Sequence, residues 1–420
     1  MAEKLTQIEL TGVQSHNTQP RRLHQGDFSF STTTKADDVE TGCGLLHVLV
    51  QGDPGKPAIF TYHDIGLNST TCFEGFFSTP EMRPILQKFC VYHINAPGQQ
   101  EGCLPLPQGA GMRHSESENL LTNISTVESE YSSSSKRARP RFLLVSLSDE
   151  SHDHYATQSI GHTGDASTIQ GYVYPTMDQL ADMLLPVMQY YKLTQFVGFG
   201  VGAGANVLAR FAIKYPDKVE ALTLLNCTAT KAGWMEWGYQ KVNSWYLRSG
   251  QITTGVEEYL LWHWFGDVTM HKNHDLVLSY SEYIKAINPT NLAHFIESYI
   301  KRTDLGVSRE TDPIKKLSAK TIKCPTMLVA GDHSPHLNDT VNMNARLDPA
   351  SCQWMKFDCG GMIQEETPMK LCEAFCLFLQ GIGYVSTVST FKMHAVGASV
   401  SGPVMSDNKH PATQARLSVC

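Results

Sequence analysis

Short runs of β-branched, aromatic and aliphatic residues alternate along this chain with segments whose apolar positions recur every three or four residues. The runs are LLHVLVQG, AIFTYHD, FCVYHINAPG, QFVGFG, ALTLLN, TMLVAGD and CQWMKFDCGG. Each has the length and residue types of a strand. The helical patterns between them predict an α/β fold, a mostly parallel sheet covered by helices on both faces.

Two segments break this rhythm. Residues 106–170 are rich in Ser, Glu, Gly and Thr and read as a disordered insertion. The basic run Lys136 to Arg141 inside it reads as a solvated patch. Residues 228–311 contain GWMEWGYQKVNSW, VEEYLLWHWFG and LAHFIESYIKR, whose spacing predicts a helical cap inserted between two strands. Aromatic residues at helical spacing are usually packing residues, so Trp234, Trp237, Trp245, Trp262 and Trp264 are read that way. Residues 1–42 are polar and aperiodic and read as a flexible arm. The core is then expected over 43–227 and 312–384, followed by a flexible Ser/Thr-rich tail over 385–420.

Composition narrows the class. A chain of 420 residues that is 41% hydrophobic can bury a large core. With 34 basic against 41 acidic residues, nothing favours a polyanionic partner, and no nucleic-acid binding is expected. The 11 cysteines lack paired spacing and the N-terminal stretch lacks a basic-then-apolar leader, which fits a reducing, cytoplasmic location. No apolar run is long enough to cross a bilayer, although contact with a membrane surface is left open.

The chemistry concentrates at three turns. The stretch from Gln195 to Arg210 reads strand, small-residue turn, helix, the layout of a nucleophile elbow. Aligned on G-x-S-x-G as Gly198-Phe199-Gly200-Val201-Gly202, it puts Gly200 where a nucleophile belongs, and glycine has no atoms with which to form an acyl-enzyme. In Ala330-Gly-Asp-His-Ser-Pro the position of a triad acid falls on Ser334, which has no charge to orient an imidazole. Asp332, two residues away, is read as a turn cap. After the last strand, Gly361 stands where a catalytic histidine would follow glycine, so the proton shuttle is missing as well. The oxyanion turn reads Tyr62-His63-Asp64-Ile65-Gly66, where the carboxylate of Asp64 would oppose a developing oxyanion.

The pairs His333 with His336 and His271 with His274 have spacings that permit metal ligation, but such pairs alone are usually surface residues, and no metal is expected. Gly198 to Gly204 also resembles a dinucleotide fingerprint. It lies far from the first strand, so no cofactor is expected.

The stretches TYHDIGLN, INAPGQQEG, YVYPTMDQLA, GVGAGANVLARFA, GWMEWG, RLDP, DCGG and EAFCLFLQGIGY, in this order, resemble the N-myc downstream-regulated (NDRG) family over roughly residues 43 to 385, the insertion excepted. The resemblance implies a cytoplasmic, catalytically inactive α/β-hydrolase-fold protein linked to differentiation, stress response, signalling or membrane traffic. The insertion and the absence of Arg-Ser-Arg-Thr repeats in the tail depart from vertebrate members and suggest an invertebrate one.

The leading expectation is an adaptor that binds other proteins through its cap or core surface. The alternative is a small-molecule or lipid binder using the space between cap and sheet. The third is a hydrolase that activates water through Asp64, Asp332 or His63.

Overall fold

A computed structural model describes residues 34–106, 172–310, 312, 314 and 318–384. Its centre is an eight-stranded sheet in the order β1-β2-β4-β3-β5-β6-β7-β8. The strands are β1 (Thr34–Thr41), β2 (Gly44–Gln51), β3 (Ala58–Tyr62), β4 (Cys90–Ile94), β5 (Phe196–Val201), β6 (Val219–Leu225), β7 (Thr326–Gly331) and β8 (Cys352–Phe357). β1 and β2 run antiparallel to their neighbours, while the pairings from β4 through β8 are parallel. Each of the seven apolar runs has become a strand. β3, β4, β5 and β7 are buried on both faces, which is why they read as continuous apolar runs rather than alternating ones.

The arm expected over residues 1–42 is shorter than its polarity suggested. Residues 34–41 form β1 and pair in full register with β2, from Thr34 opposite Gln51 to Thr41 opposite Gly44. An edge strand is held mainly by its backbone ladder. Here Val39 is the one fully buried side chain, so no hydrophobic pattern announced the strand. Tyr191 reinforces it by donating to Asp37 Oδ2 at 3.0 Å. The rest of the arm, the insertion beyond Leu106 with Lys136 to Arg141, and the tail lie outside the described residues.

Seven of the longer helices position the site. In the core these are α1 (Met177–Asp182), α2 (Leu184–Tyr190) and α3 (Ala203–Lys214). α1 starts with a reciprocal capping box between Thr176 and Gln179. Between β6 and β7 come the cap helices α4 (Trp234–Arg248), α5 (Thr254–Lys272), α6 (His274–Ile284) and α7 (Pro289–Ile300). The side chains of Thr253, Asn273 and Asn288 cap the first turns of α5, α6 and α7. α5 bends at Gly266 (φ 75°, ψ 169°), where a Cβ would lie 2.5 Å from the carbonyl oxygen of His333. The bend lets the cap backbone close onto the turn after β7.

Of the tryptophans read as packing residues, Trp264 alone among the described side chains is fully buried, against Tyr280 and Tyr283. Trp245 is half-buried, whereas Trp237 and Trp262 are 43% and 37% exposed. Helical spacing does not say which side of an amphipathic helix meets the core. The side chain of Trp234 lies outside the described set.

Removing residues 1–42 strips β1 from the sheet and exposes the edge of β2. The truncated chain is expected to melt several degrees below the full chain by circular dichroism. Equal melting temperatures would mean that β1 adds nothing to the sheet.

Candidate functional site

The strand–turn–helix after β5 sets the frame. Gly202, the residue between β5 and α3, has φ 53° and ψ −113°, a conformation essentially restricted to glycine unless the surroundings enforce it. The sharp point of the turn is therefore Gly202, in the register Gly200-Val201-Gly202-Ala203-Gly204. This corrects the assignment of the nucleophile position to Gly200, which lies within β5 and pairs with Tyr62 and Leu224. Glycines at every second position fit the G-x-S-x-G template in either register, and only the backbone dihedrals choose. The flanking glycines serve close approach: a Cβ on Gly200 would lie 2.7 Å from Ala205 Cα, and one on Gly204 2.1 Å from the Tyr62 oxygen. In both registers the central residue has no side chain.

The space that a nucleophile would use is occupied. Asp64, in the turn after β3, is 4% exposed, and its Oδ1 accepts the backbone N–H groups of Ile65 and Ala203, both at 2.8 Å. These are the N–H of the β3 turn and the N–H of the residue after the elbow, the two donors that form the oxyanion hole in hydrolases of this architecture. Oδ2 accepts from His263 Nε2 of α5 at 3.0 Å. A Cβ on Gly202 would lie 2.1 Å from Asp64 Cγ. The sequence placed a carboxylate beside the oxyanion site; the structure places it inside. Burial would push this carboxyl up, but the His263 imidazole and the Ala203 N–H outweigh it and hold it below its ordinary value, so it is ionised at neutral pH.

His63 supports the turn. Its Nε2 accepts the Ala96 N–H at 2.9 Å and its Nδ1 donates to the Asp64 carbonyl at 2.8 Å, which defines a neutral ring. Burial takes its pKa down to about 4. The ring ties the β3 turn to the loop after β4, and both of its nitrogens are engaged.

Ser334 and Gly361, expected as the acid and histidine positions, do meet. A Cβ on Gly361 would lie 3.5 Å from Ser334 Oγ. Asn226, at the end of β6 with φ 52°, bridges them: it accepts from Ser334 Oγ at 3.1 Å and donates to the Gly361 oxygen at 2.7 Å. A histidine at 361 would collide with the cap, because its Cβ would stand 2.3 Å from the Trp264 oxygen. Trp264 is itself pinned to the oxyanion turn by its Nε1, which donates to the Ile65 oxygen at 2.9 Å.

Three site residues escaped the sequence reading. Helical spacing marks Trp264 only as a packing residue, and no motif marks His263 or Asn226. Asn at a strand end is the usual non-glycine choice for positive φ, a signal available for Asn226. Nothing local distinguished His263 within WHWFG.

The other candidates separate. His336 faces inward, its Nε2 donating to the His263 oxygen at 3.1 Å with the two rings 4.4 Å apart. Burial lowers its pKa to about 4, and the neighbouring His263 adds to the effect. His333 points away, 3.7 Å from carboxylate oxygens of both Asp332 and Asp358, so His333 and His336 share no ligand position. His271 and His274 are exposed, and His271 Nδ1 bonds the Asp267 carbonyl. Asp332 does not cap its turn through Oδ1, which is buried and accepts no hydrogen bond among the described residues.

Gly202→Ser is expected to cost about 1–3 kcal/mol or more from backbone strain and overpacking. Asp64→Gly in the same chain should recover part of that loss, giving a coupling of about 1 kcal/mol by urea denaturation. Gly200→Ser runs into α3 instead and should show no such rescue. The opposite pattern would put the elbow back at Gly200. A pH series tests the buried imidazoles of His63 and His93, whose pKa values burial depresses to about 4 and about 3. Between about pH 6.5 and these values the unfolded chain binds more protons. Stability should therefore fall as pH drops through that window, by about 1.4 kcal/mol per unit for each ring. A flat profile from pH 7 to 5 would mean that the rings protonate within the fold.

A sequence model of the Ndr family matches residues 36–134 and 151–386. The match enters the expected insertion from both sides and leaves out only 135–150, where Lys136 to Arg141 lie. Protein NDRG1-A of Xenopus laevis is 35% identical over 364 residues, covering 86% of this chain and 74% of that protein. Protein NDRG3 of Xenopus laevis is 34% identical over 418 residues, covering 97% of this chain and 92% of that protein. Among solved structures, a hydrolase from Pseudomonas aeruginosa PA01 superposes with a TM-score of 0.55 at 15% identity, over 82% of this chain and 98% of that one. A thermophilic esterase from Thermogutta terrifontis gives 0.54 at 14%, over 83% and 99%. At these identities the structural likeness shows the α/β-hydrolase fold and no activity. On its sequence and its architecture together, this chain belongs to the Ndr family and has the α/β-hydrolase fold.

Proposed function

We propose that this protein is non-catalytic and acts inside the cell as an adaptor or signalling protein, binding other proteins through its cap or core surface. The family resemblance suggests differentiation, stress response or membrane traffic as its setting and the cytoplasm as its compartment. Among the described residues no helix is long and apolar enough to cross a membrane.

One observation carries the non-catalytic reading: the ionised carboxylate of Asp64 holds both oxyanion donors. Acyl transfer builds negative charge at those two N–H groups, and losing even one such donor costs a hydrolase about 10²–10³ in turnover. Here both are saturated by a fixed anion beside a glycine that offers no nucleophile. The reading of the cap as a docking surface is supported by its exposed apolar side chains Trp237, Val242 and Trp262.

Two measurements test these readings. The purified chain should neither react with a fluorophosphonate probe nor hydrolyse p-nitrophenyl acetate above buffer. Turnover abolished by Asp64→Asn would defeat the non-catalytic reading. Proximity labelling in the native cell should give a reproducible set of neighbours that shrinks when Trp237 and Trp262 are both changed to Lys. An unchanged set would remove the cap from the docking surface.

A further inference from the structure

We propose that β8, the last strand of the sheet, is an interaction surface for a second copy of this chain. The two β8 strands pair antiparallel about a two-fold axis at Trp354 and join the two sheets into one. Among the described residues β8 pairs with β7 alone, in an unbroken parallel register from Thr326 opposite Cys352 to Gly331 opposite Phe357. Thr326 N–H donates to the Ser351 oxygen and Asp332 N–H to the Phe357 oxygen, both at 2.8 Å. In a parallel ladder the N–H and C=O of one residue point the same way, and successive residues alternate. Residues 351, 353, 355 and 357 therefore face β7, and the backbone groups of Cys352, Trp354 and Lys356 face outward.

The strand lacks the protection that sheet edges usually carry, namely charges, proline or a bulge. β1, at the opposite edge, has Lys35, Asp37, Asp38 and Glu40 among its eight residues. β8 reads Cys-Gln-Trp-Met-Lys-Phe, with one charge, no proline and no break in register. Trp354, Met355 and Phe357 are only half-buried.

What fits this edge is the edge itself. With the axis at Trp354, Lys356 lies opposite the partner's Cys352, so the single charges of the two strands stay apart. The two Trp354 residues stand directly across from each other, with Cα atoms about 5.5 Å apart. The three opposed pairs exchange about six hydrogen bonds, two in each pair. The side chains of Cys352, Trp354 and Lys356 point to one face of the sheet. The helix Leu337–Arg346 lies on that face, since Cys352 Sγ donates to Asn344 Oδ1 at 3.6 Å. Val341, one turn before Asn344 on the same side of that helix, is 44% exposed and adds apolar surface beside the strand. A two-fold contact uses each edge once, which limits the assembly to a dimer.

The test is sedimentation velocity of the full chain over a range of concentrations, with hydrogen exchange of the 352–357 amides followed in the same samples. The expected result is a monomer–dimer equilibrium in which exchange within β8 slows as the dimer fills. Lys356→Pro removes an outward N–H and leaves the bonds to β7 in place, while Trp354→Lys sets two like charges across the axis. Each should weaken dimerisation by about tenfold or more, and Glu40→Gln on β1 should leave it unchanged. Melting curves establish that each variant is folded, and the exchange measurement on the parent chain needs no substitution. A chain that stays monomeric at every concentration, or folded Lys356→Pro and Trp354→Lys variants that dimerise as tightly as the parent, would overturn the assignment. So would β8 amides protected equally at all concentrations, which would give the edge to a segment of the same chain.

Discussion

The structure around the elbow depends on one buried charge. A carboxylate taken out of water is stable only where it is hydrogen-bonded and compensated, and Asp64 has two backbone N–H groups on one oxygen and an imidazole N–H on the other. The donors come from the β3 turn, the first turn of α3 and cap helix α5. One side chain therefore joins three parts of the fold. Any change that moves one of these parts leaves a buried anion or buried donors unpaired, so the arrangement is stiff as well as closed.

The cap is tied to the same place by further bonds. Trp264 Nε1 reaches the Ile65 oxygen, Tyr283 Oη the Gly66 oxygen and Tyr280 Oη the Thr71 oxygen, at 2.9, 3.1 and 3.0 Å. All three acceptors lie in or just after the turn that carries Asp64. In a working hydrolase this region must admit substrate between cap and sheet. Here aromatic side chains and backbone contacts take that room, and the Trp264 carbonyl stands where a histidine at 361 would need its Cβ. The glycines at 202 and 361 and the close approach of their neighbours are parts of one packing solution, so restoring a single catalytic side chain would disturb more than its own position.

Much of this was legible in the chain. The seven apolar runs became strands because strand length and residue type are local properties. The helical segment between ALTLLN and TMLVAGD became the cap helices because apolar periodicity is local too. The absence of a side chain at the elbow, the serine at 334 and the glycine at 361 followed from residue identity at recognisable turns. Elsewhere residue identity is ambiguous or silent. Alternating glycines allowed two elbow registers, a polar edge strand left no hydrophobic trace, and helical spacing did not say which tryptophans faced water.

By itself, then, the sequence determined the α/β class, the cap, the family and the residue types at the three turns, since these depend on residue type and short-range period. Tertiary structure alone decided that the elbow turns on Gly202, that Asp64 sits within the oxyanion hole, and that His263 and Trp264 close the site. Asp64 and His263 are 199 residues apart in the chain, and Ser334 meets Gly361 only because β7 and β8 end side by side. Contacts of that kind are set by how the sheet and cap pack, and no local pattern encodes which distant side chain fills a given space.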